Sequence, residues 1–297
     1  MLNLVIGLGV QGNKRIKFLK EKYLTVDPIK KIADYQKLSD VPLKEVSHAY
    51  VCTPEKQKFK IIKKLLNNNI HVLVEKPLIF KKEEDQEILK ILKVKKSTLY
   101  TAYNHRFEPH IVKAKKILDK SELGKIYYVN IYYGNGTAQL WKNNWREKNL
   151  YSIINDLGVH LLDIFDFWFK FYPKKFLTTA RAKNELKCFD FFSFSSKEKF
   201  LCNFSTSIIN WRNTFRADII GTKGSLHIDC LCKWGPSILT LRKRKFPSGK
   251  PLERIKTIKK NDPTWNLEEK YFKKISKKNI TNFKNDLTIK QCIESIK

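Results

Sequence analysis

A glycine-rich turn near the start of the chain restricts the possible folds more than any other feature. Gly7, Gly9 and Gly12 have the spacing G-x-G-x-x-G and directly follow a short apolar run. A strand that enters such a turn and leaves it as a helix is the phosphate-binding unit of a dinucleotide-binding fold. Gly7 permits the tight turn, Gly9 lets the backbone approach a pyrophosphate, and Gly12 allows close packing of helix on strand. Val10 and Gln11 complete the predicted site, where backbone amides face the negative charge.

An acidic residue at the end of the second strand is expected to bind the hydroxyls of the adenosine ribose. Asp27 directly follows the predicted strand, whereas Asp34 lies nearer the usual distance of about 20 residues beyond the glycines. We favour Asp27, which requires the first helix to be short. An acid there repels a 2′-phosphate, so NAD is favoured over NADP. Lys30 and Lys31 lie nearby in the sequence, so NADP is retained as the alternative cofactor.

Short apolar strands alternate with helical patterns over the first third of the chain, which predicts an α/β fold with a parallel sheet. We assign residues 1–102 to a Rossmann dinucleotide-binding domain. The predicted strands are 2–6, 23–27, 47–52, 71–74 and 98–103, and the predicted helices are 12–22, 59–69 and 82–95.

The pattern changes near residue 103, and we assign 103–297 to a second α/β domain. A series of strand-like stretches predicts one mostly antiparallel open sheet. The tail from Asp262 is expected to carry an amphipathic helix and a second helix. The predicted helices are 108–120 and 155–169, and the predicted strands are 126–133, 174–182, 187–195, 200–208, 214–220, 225–230 and 238–243.

A formal net charge of +30 is the strongest compositional signal. A basic surface attracts phosphates, whether of nucleic acid or of metabolites. The charge is carried mostly by lysines scattered along the chain, whereas nucleic-acid readers draw on Arg for bidentate contacts. No RNA-binding or zinc-finger motif is present, so we expect a solvated basic surface and no nucleic-acid partner.

The cysteines and the hydropathy pattern indicate a soluble, reduced, cytoplasmic protein. The six cysteines form no C-x-x-C pair, and the Cys230-x-Cys232 zinc half-site lacks a second half. No apolar run approaches the roughly 20 residues that a membrane helix needs, so no membrane partner is expected. The first strand leads straight into the glycine turn, with no secretory signal pattern before it.

Glu75-Lys76-Pro77 follows a predicted strand at the edge of the sheet where α/β folds bind ligands. A lysine in a partly dry cleft can hydrogen-bond a substrate hydroxyl and stabilise a developing alkoxide. Pro77 restricts the turn, and Glu75 is a candidate for orienting Lys76 or the nicotinamide ribose. The competing interpretation is an exposed lysine before a loop.

Asp156 and His160 are four residues apart on a predicted helix, which places them on one face. Histidine is suited to accept and return a proton near neutral pH, and Asp156 can orient it or bind substrate. A helix-capping aspartate beside a core histidine is the structural alternative. A metal cluster of Asp156, His160 and Asp163 is a third interpretation, but hydride transfer needs no metal, and we expect none.

Taken together, these motifs resemble those of the Gfo/Idh/MocA oxidoreductases, the glucose-fructose oxidoreductase and inositol dehydrogenase family. The resemblance covers residues 1 to about 230. The motifs that carry it, in chain order, are Gly7–Gly12, Thr53-Pro54, Glu75-Lys76-Pro77, Tyr103–Phe107, Leu123–Ile126, Asp156–His160 with Asp163, and Gly221–Ser225.

The resemblance implies hydride transfer between a nicotinamide and a carbon of a sugar, cyclitol or sugar nucleotide. It also implies that residues 103–297 are a substrate-binding and oligomerisation domain, which forms a homodimer or homotetramer through its open sheet. By this likeness Lys76 is the active-site lysine, His160 the acid/base and Asp156 its partner. The cofactor contacts are Gly7, Gly9, Val10, Gln11, Gly12, Asp27, Thr53, Pro54, Glu75 and Lys76, and the substrate contacts are Tyr103, Asn104, Arg106, Trp145 and Arg146.

The chain departs from the family pattern at two places. Lys58 stands where the family often has a histidine, and Ser152–Asn155 replaces a glycine-rich run. The bulkier run could narrow the space over the nicotinamide. A dinucleotide-binding regulatory protein without catalysis is therefore the alternative to a dehydrogenase, and a nucleic-acid binder on a Rossmann scaffold is a second one.

Overall fold

The computed structural model describes residues 2–296, which divide into two compact units. Unit 1 runs to Tyr103 and includes Trp265–Leu287. Unit 2 holds Asn104–Thr264 and takes up the chain again at Thr288. From the sequence we assign everything after residue 102 to the second domain. The structure instead includes the tail segment Trp265–Leu287 in unit 1.

Unit 1 is built on a five-stranded sheet whose strands are all parallel, in the order β2-β1-β3-β4-β5. The predicted parallel sheet is thus confirmed. Its strands are β1 (Leu2–Ile6), β2 (Tyr23–Val26), β3 (Val46–Val51), β4 (His71–Glu75) and β5 (Leu99–Ala102). The helices between them are α1 (Val10–Ile16), α2 (Glu55–Asn67) and α3 (Lys82–Val94).

The first helix is shorter than the predicted segment at 12–22, which was wrong at both ends. It begins directly after Gly9 and ends at Ile16. Turn hydrogen bonds from the amides of Phe18 and Leu19 then lead the chain towards β2. The next connection, from β2 to β3, forms no α-helix in the described chain and has only a 3-10 turn at Leu43–Glu45.

Unit 2 contains an eight-stranded sheet in the order β13-β12-β11-β10-β6-β9-β8-β7. Only β6 and β9 pair in parallel, so the predicted mostly antiparallel sheet is confirmed. The helices are α4 (Pro109–Asp119), α5 (Ala138–Trp141) and α6 (Val159–Phe169). The strands are β6 (Ile126–Gly134), β7 (Leu177–Ala182), β8 (Phe191–Ser196), β9 (Leu201–Ser207), β10 (Thr214–Gly221), β11 (Gly224–Asp229), β12 (Ser237–Lys243) and β13 (Leu252–Ile258).

One face of this sheet is buried and the other is open. Burial alternates along β8 and β10, as expected for strands with a single covered face. Phe165 of α6 packs edge-on against Phe204 of β9, which stacks on Phe194. The helix that carries His160 is therefore anchored on the apolar side of the sheet.

The tail forms α7 (Thr264–Ser276) and α8 (Phe283–Ile296), and α7 completes the core of unit 1. Phe272 and Ile275 of α7 pack with Val5, Tyr50 and Tyr100 on one side of the parallel sheet, while α2 and α3 cover the other side. A short α1 leaves this face incompletely covered. Burial of apolar area therefore draws the tail helix onto unit 1.

Candidate functional site

In the glycine turn of unit 1, one glycine has free space where a side chain would lie and two glycines do not. Gly7 has a positive φ of 93°, and a Cβ there would lie 2.8 Å from the carbonyl oxygen of Cys52. A Cβ on Gly12 would collide with the carbonyl oxygen of Gly7. Gly9, by contrast, has no atom within 4 Å of an added Cβ. The turn is therefore tightly packed from behind and accessible at Gly9, where a ligand's phosphate can approach the backbone.

Asp27 is tied to this turn by hydrogen bonds. Its Oδ2 accepts the amide N–H of Leu8 at 2.7 Å, and its Oδ1 accepts the amides of Ile29 and Lys30. Burial raises the pKa of Asp27, but these amides and the charge of Lys30 outweigh it and lower the pKa below its ordinary value. A charged carboxylate thus stands beside the glycines. Asp34 instead bonds to the backbone and hydroxyl of Thr25.

Two buried polar atoms near the turn lack a hydrogen-bond partner within residues 2–296. They are Oε1 of Gln11, inside the glycine motif, and Oγ1 of Thr53, whose Cγ2 would lie 3.4 Å from a Cβ on Gly7. Buried polar atoms in folded proteins are nearly always hydrogen-bonded, so each such atom calls for an explanation. A bound dinucleotide, rich in hydroxyl and amide donors, fits both.

Glu75 pairs with an arginine that sequence reasoning did not single out. Its Oε1 accepts hydrogen bonds from Nε and Nη2 of Arg15 at 2.9 and 2.7 Å. Nη2 also lies 2.8 Å from Oε2 of Glu268 on α7, and the guanidinium lies over the ring of Trp265. Burial lowers the pKa of Arg15, but the two carboxylates outweigh it and raise the pKa above its ordinary value. This buried cluster joins the glycine helix, β4 and the tail helix.

Lys76 follows β4, and its peptide bond to Pro77 is cis. Lys58, the residue that replaces the family's histidine, is buried directly beneath this segment. Its Nζ donates to the carbonyl oxygens of Glu75 and Pro77 at 2.5 and 2.6 Å. The backbone on both sides of Lys76 is therefore held by a single side chain.

The predicted helix around Asp156 and His160 contains a π-helical turn at Ile154–Gly158, after which α6 begins. Asp156 lies in the wide turn and is half-buried, whereas His160 is buried in the first turn of α6. Single π-turns inside helices are frequent at functional sites. The spacing rule for a regular α-helix does not hold across this turn, so their common face does not follow from spacing alone.

Tyr133 interacts with both Asp156 and His160. Burial and the nearby Asp156 carboxylate raise the pKa of Tyr133 above its ordinary value. The Tyr133 ring lies 6.0 Å from the imidazole of His160 and stacks on Trp234. The carboxylate and the imidazole are thus arranged around the same buried phenol.

His105 packs against His160, with the ring centroids 4.1 Å apart. It is buried, and Nζ of Lys233 lies 2.7 Å from its Nε2. His105 was part of the Tyr103–Phe107 motif but received no role from the sequence. Lys233, in the loop after β11, carried no local signal that distinguishes it from the many other lysines.

Arg106 is an ion-pairing residue of unit 2. Its guanidinium binds the carboxylate of Asp163 through Nε and Nη2 and reaches Asp166, both on α6. Burial raises the pKa of Asp163 to about 6, although Arg106 lowers it. The guanidinium thereby positions α6, and a contact of Arg106 with substrate stays a prediction.

The remaining predicted substrate residues occupy different environments. In unit 1, the buried Tyr103 donates its hydroxyl to Asp286 at 2.9 Å. In unit 2, the amide of Asn104 donates to Thr264, and the guanidinium of Arg146 lies 4.6 Å from the ring of Trp145. Trp145 is 55% exposed, so this aromatic–cation pair is available to a ligand.

Most of the bulky segment Ser152–Asn155, which precedes Asp156, is buried. Ile153 and Ile154 are fully buried in unit 2, and the hydroxyl of Ser152 donates to the carbonyl oxygen of Arg146. Only Asn155 of this run is partly exposed. The two isoleucines are therefore core residues.

No group of three His, Cys, Asp or Glu side chains within residues 2–296 is arranged to hold a metal ion. Asp163 of the metal alternative pairs with Arg106, and the thiol of Cys232 donates to Glu108. Across the same residues, every helix is too short or too polar to cross a membrane.

The fold and the glycine site define the first unit as a nucleotide-binding Rossmann fold. Residues 4–103 match the model of the oxidoreductase family with an NAD-binding Rossmann fold, and residues 111–227 match the GFO/IDH/MocA C-terminal domain. The chain belongs to the Gfo/Idh/MocA family, as its motifs predicted.

Curated relatives match part of the chain. Glucose-6-phosphate 3-dehydrogenase of Bacillus subtilis is 26% identical over 126 residues, covering 40% of this chain and 35% of that protein. Inositol 2-dehydrogenase of Rhizobium meliloti is 25% identical over 107 residues, covering 36% of this chain and 29% of that protein. The aligned part thus spans about a third of the length of these relatives.

Solved structures share the fold over nearly the whole chain. Levoglucosan dehydrogenase in complex with NADH has a TM-score of 0.78 at 14% identity, covering 100% of this chain and 96% of that one. A dehydrogenase from Clostridium difficile has a TM-score of 0.76 at 17% identity, covering 100% and 98%. At this identity the likeness establishes the fold alone.

Proposed function

We propose that this chain is an NAD-dependent dehydrogenase that acts on a secondary alcohol, or the corresponding ketone, of a sugar, cyclitol or sugar nucleotide. Family membership supports the oxidoreductase class. The glucose-6-phosphate and inositol dehydrogenases among its relatives support the substrate class.

The observation that carries the proposal is the glycine turn of unit 1. It offers an open backbone at Gly9, the charged Asp27, and two buried polar atoms, on Gln11 and Thr53, that have no partner among residues 2–296. These are the groups that a pyrophosphate and a ribose require. A 2′-phosphate would be repelled by the Asp27 carboxylate, which supports NAD over NADP.

We assign the proton chemistry to the side chains that the family motifs imply. Bound NAD would supply the acceptor or donor of the hydride. In the oxidative direction, His160 takes the proton of the substrate hydroxyl and Asp156 helps to orient it. The ammonium group of Lys76 stabilises the negative charge that develops on the substrate oxygen. Trp145 and Arg146 are proposed substrate contacts.

The proposal includes self-association through the open face of the eight-stranded sheet. Its strands alternate between buried residues and half-exposed polar or aromatic ones, among them Tyr128, Tyr132 and Asn203. Light scattering on the purified protein measures the assembly. A monomer at all concentrations would remove this part of the proposal.

The first experiment is a titration with NADH and, separately, with NADPH, following energy transfer from the six Trp residues to the reduced nicotinamide. We expect saturable binding that prefers NADH, followed by turnover in a screen of glucose 6-phosphate, myo-inositol, levoglucosan and nucleotide sugars. A preference for NADPH would overturn the role of Asp27 but keep the enzyme class. Binding of neither would reject the proposed function.

A further inference from the structure

Lys58 occupies an apolar position of α2. The buried residues of this helix are Lys58, Ile62, Leu65 and Leu66, which follow the spacing of a core-facing stripe. The Lys58 side chain is placed where the next turns carry isoleucine and leucine, and the residue is only 3% exposed. An ammonium group in such a position is costly unless its donors are satisfied.

The donors of Lys58 are used on the segment that presents Lys76. Its Nζ bonds to the carbonyl oxygens of Glu75 and Pro77, which flank Lys76 in the chain. The carboxylate of Glu75 is held from another side by Arg15 of α1. Two buried cations from two helices therefore hold this short segment, one by its backbone and one by its side chain.

We propose that Lys58 is a positioning residue, whose ammonium group bridges the backbone on both sides of Lys76 and so sets the place of the Lys76 side chain. Its relevance to catalysis rests on the proposed function of Lys76. The bridge contacts the backbone of the segment that follows β4. A change at Lys58 is therefore expected to loosen this segment more than the rest of the parallel sheet.

The bridge also depends on pH. Burial lowers the pKa of Lys58 to about 8, against the pull of the Glu55 and Glu75 carboxylates, and the neighbouring Lys76 lowers it further. Hydrogen bonds from a charged donor are roughly twice as strong as those from a neutral one. Above about pH 8 the neutral amine holds the two carbonyls less firmly, and the segment loosens.

Hydrogen exchange measured by mass spectrometry tests the bridge without any substrate. We compare Lys58→Met with Lys60→Met, which removes the same charge from an exposed position of the same helix. In Lys58→Met, the amides of Lys76 and of residues 78–80 are expected to exchange about tenfold faster than in Lys60→Met, while those of β1 and β3 stay unchanged. Equal exchange of residues 76–80 in both variants overturns the proposal, as does a uniform loss of protection across unit 1.

The wild-type protein supplies a second measurement should Lys58→Met fail to fold. Carbon-13 NMR of labelled lysine ε-carbons identifies the group that titrates near pH 8, and protection of residues 76–80 is followed through the same range. A fall of about threefold in protection through that midpoint supports the bridge, and constant protection overturns it. NADH binding, measured in parallel, tests the proposed function separately, because its loss does not alter either exchange result.

Discussion

The imidazole of His105 lies against that of His160, and Nζ of Lys233 lies 2.7 Å from Nε2 of His105. A lysine ammonium group has only donors, so Nε2 of His105 accepts and the ring is neutral, with its proton on Nδ1. Two imidazoles in contact do not both carry charge without strong repulsion. The arrangement therefore places a neutral imidazole directly beside His160.

Replacement of His160 by alanine is expected to reduce turnover by at least about 100-fold, because the proposed proton acceptor is lost. NADH affinity should stay within about twofold, since the glycine turn belongs to unit 1. Steady-state kinetics and the energy-transfer titration measure the two effects. His227→Ala, on β11, is the matched control and should keep turnover. An active His160→Ala variant would remove the assigned role.

Gly9→Ala should leave stability unchanged but weaken NADH binding about tenfold or more, because the added methyl group occupies the open approach to the backbone. Gly12→Ala is the contrasting variant. Its methyl group collides with the Gly7 carbonyl, so we expect loss of stability as well as of binding. Thermal unfolding and NADH titration separate the two cases. Tight NADH binding by Gly9→Ala would place the cofactor elsewhere.

Asp27→Asn tests the choice of cofactor. The amide keeps the shape of the side chain, but it removes the negative charge and replaces one of the two oxygens that accept backbone amides. Both cofactors lose affinity through the second change, whereas the loss of charge should improve NADPH binding relative to NADH by about tenfold. Parallel titrations of the variant with both cofactors give the ratio. Asp40→Asn removes a charge from an exposed residue of the same unit and should leave the ratio unchanged. An unaltered ratio in Asp27→Asn would mean that Asp27 does not meet the ribose.

Arg15→Met removes the shared counter-charge of Glu75 and Glu268 inside unit 1. Breaking a buried ion pair by removing one partner costs about 3–5 kcal/mol in the free energy of unfolding. Arg242→Met breaks the exposed pair with Glu253 on unit 2 and should cost about 0–1 kcal/mol. Urea unfolding of both variants provides the comparison. A small effect of Arg15→Met would show that the cluster is not a stabilising element.

Acid should destabilise unit 1 through His48. Burial, with the charges of Lys273 and His71, lowers the pKa of His48 to about 3 from an ordinary 6.5. The folded state thus disfavours the proton, and stability present above pH 6.5 is lost as the pH falls below it. Between pH 7.5 and 5, the wild type should lose about 2 kcal/mol more than His48→Gln. Identical pH profiles would contradict the assignment.

Local patterns were sufficient for the strands of unit 1 and for the glycine turn. Buried parallel strands are short apolar runs, and each run lies between polar helical segments, so their positions can be read from hydropathy. The edge strand β13 was missed because almost every residue in Leu252–Ile258 is exposed. Backbone pairing to β12 holds this strand in place. Because neither face of the strand is buried, its side chains do not alternate between buried and exposed positions.

The tail helix α7 shows a different limit. Its amphipathic pattern was visible, but the pattern does not say which core its apolar face joins. Phe272 lies against Tyr50 and Tyr100 of the parallel sheet, more than 150 residues away in the chain for each. The shortness of α1, also underestimated from the sequence, creates the face that this helix covers.

The sequence by itself determined the family, the order of the strands along the chain and the residues that surround the glycine turn, because each depends on neighbours in the chain. Only the tertiary structure decided the partners of the buried charges. Arg15 meets Glu75 across sixty residues, and Lys58 meets the carbonyls around Lys76. The spacing of Ile62 and Leu65 puts Lys58 on the core-facing stripe of α2, but it does not say which groups the ammonium meets. Its role is set by the carbonyls that the folded chain brings to it.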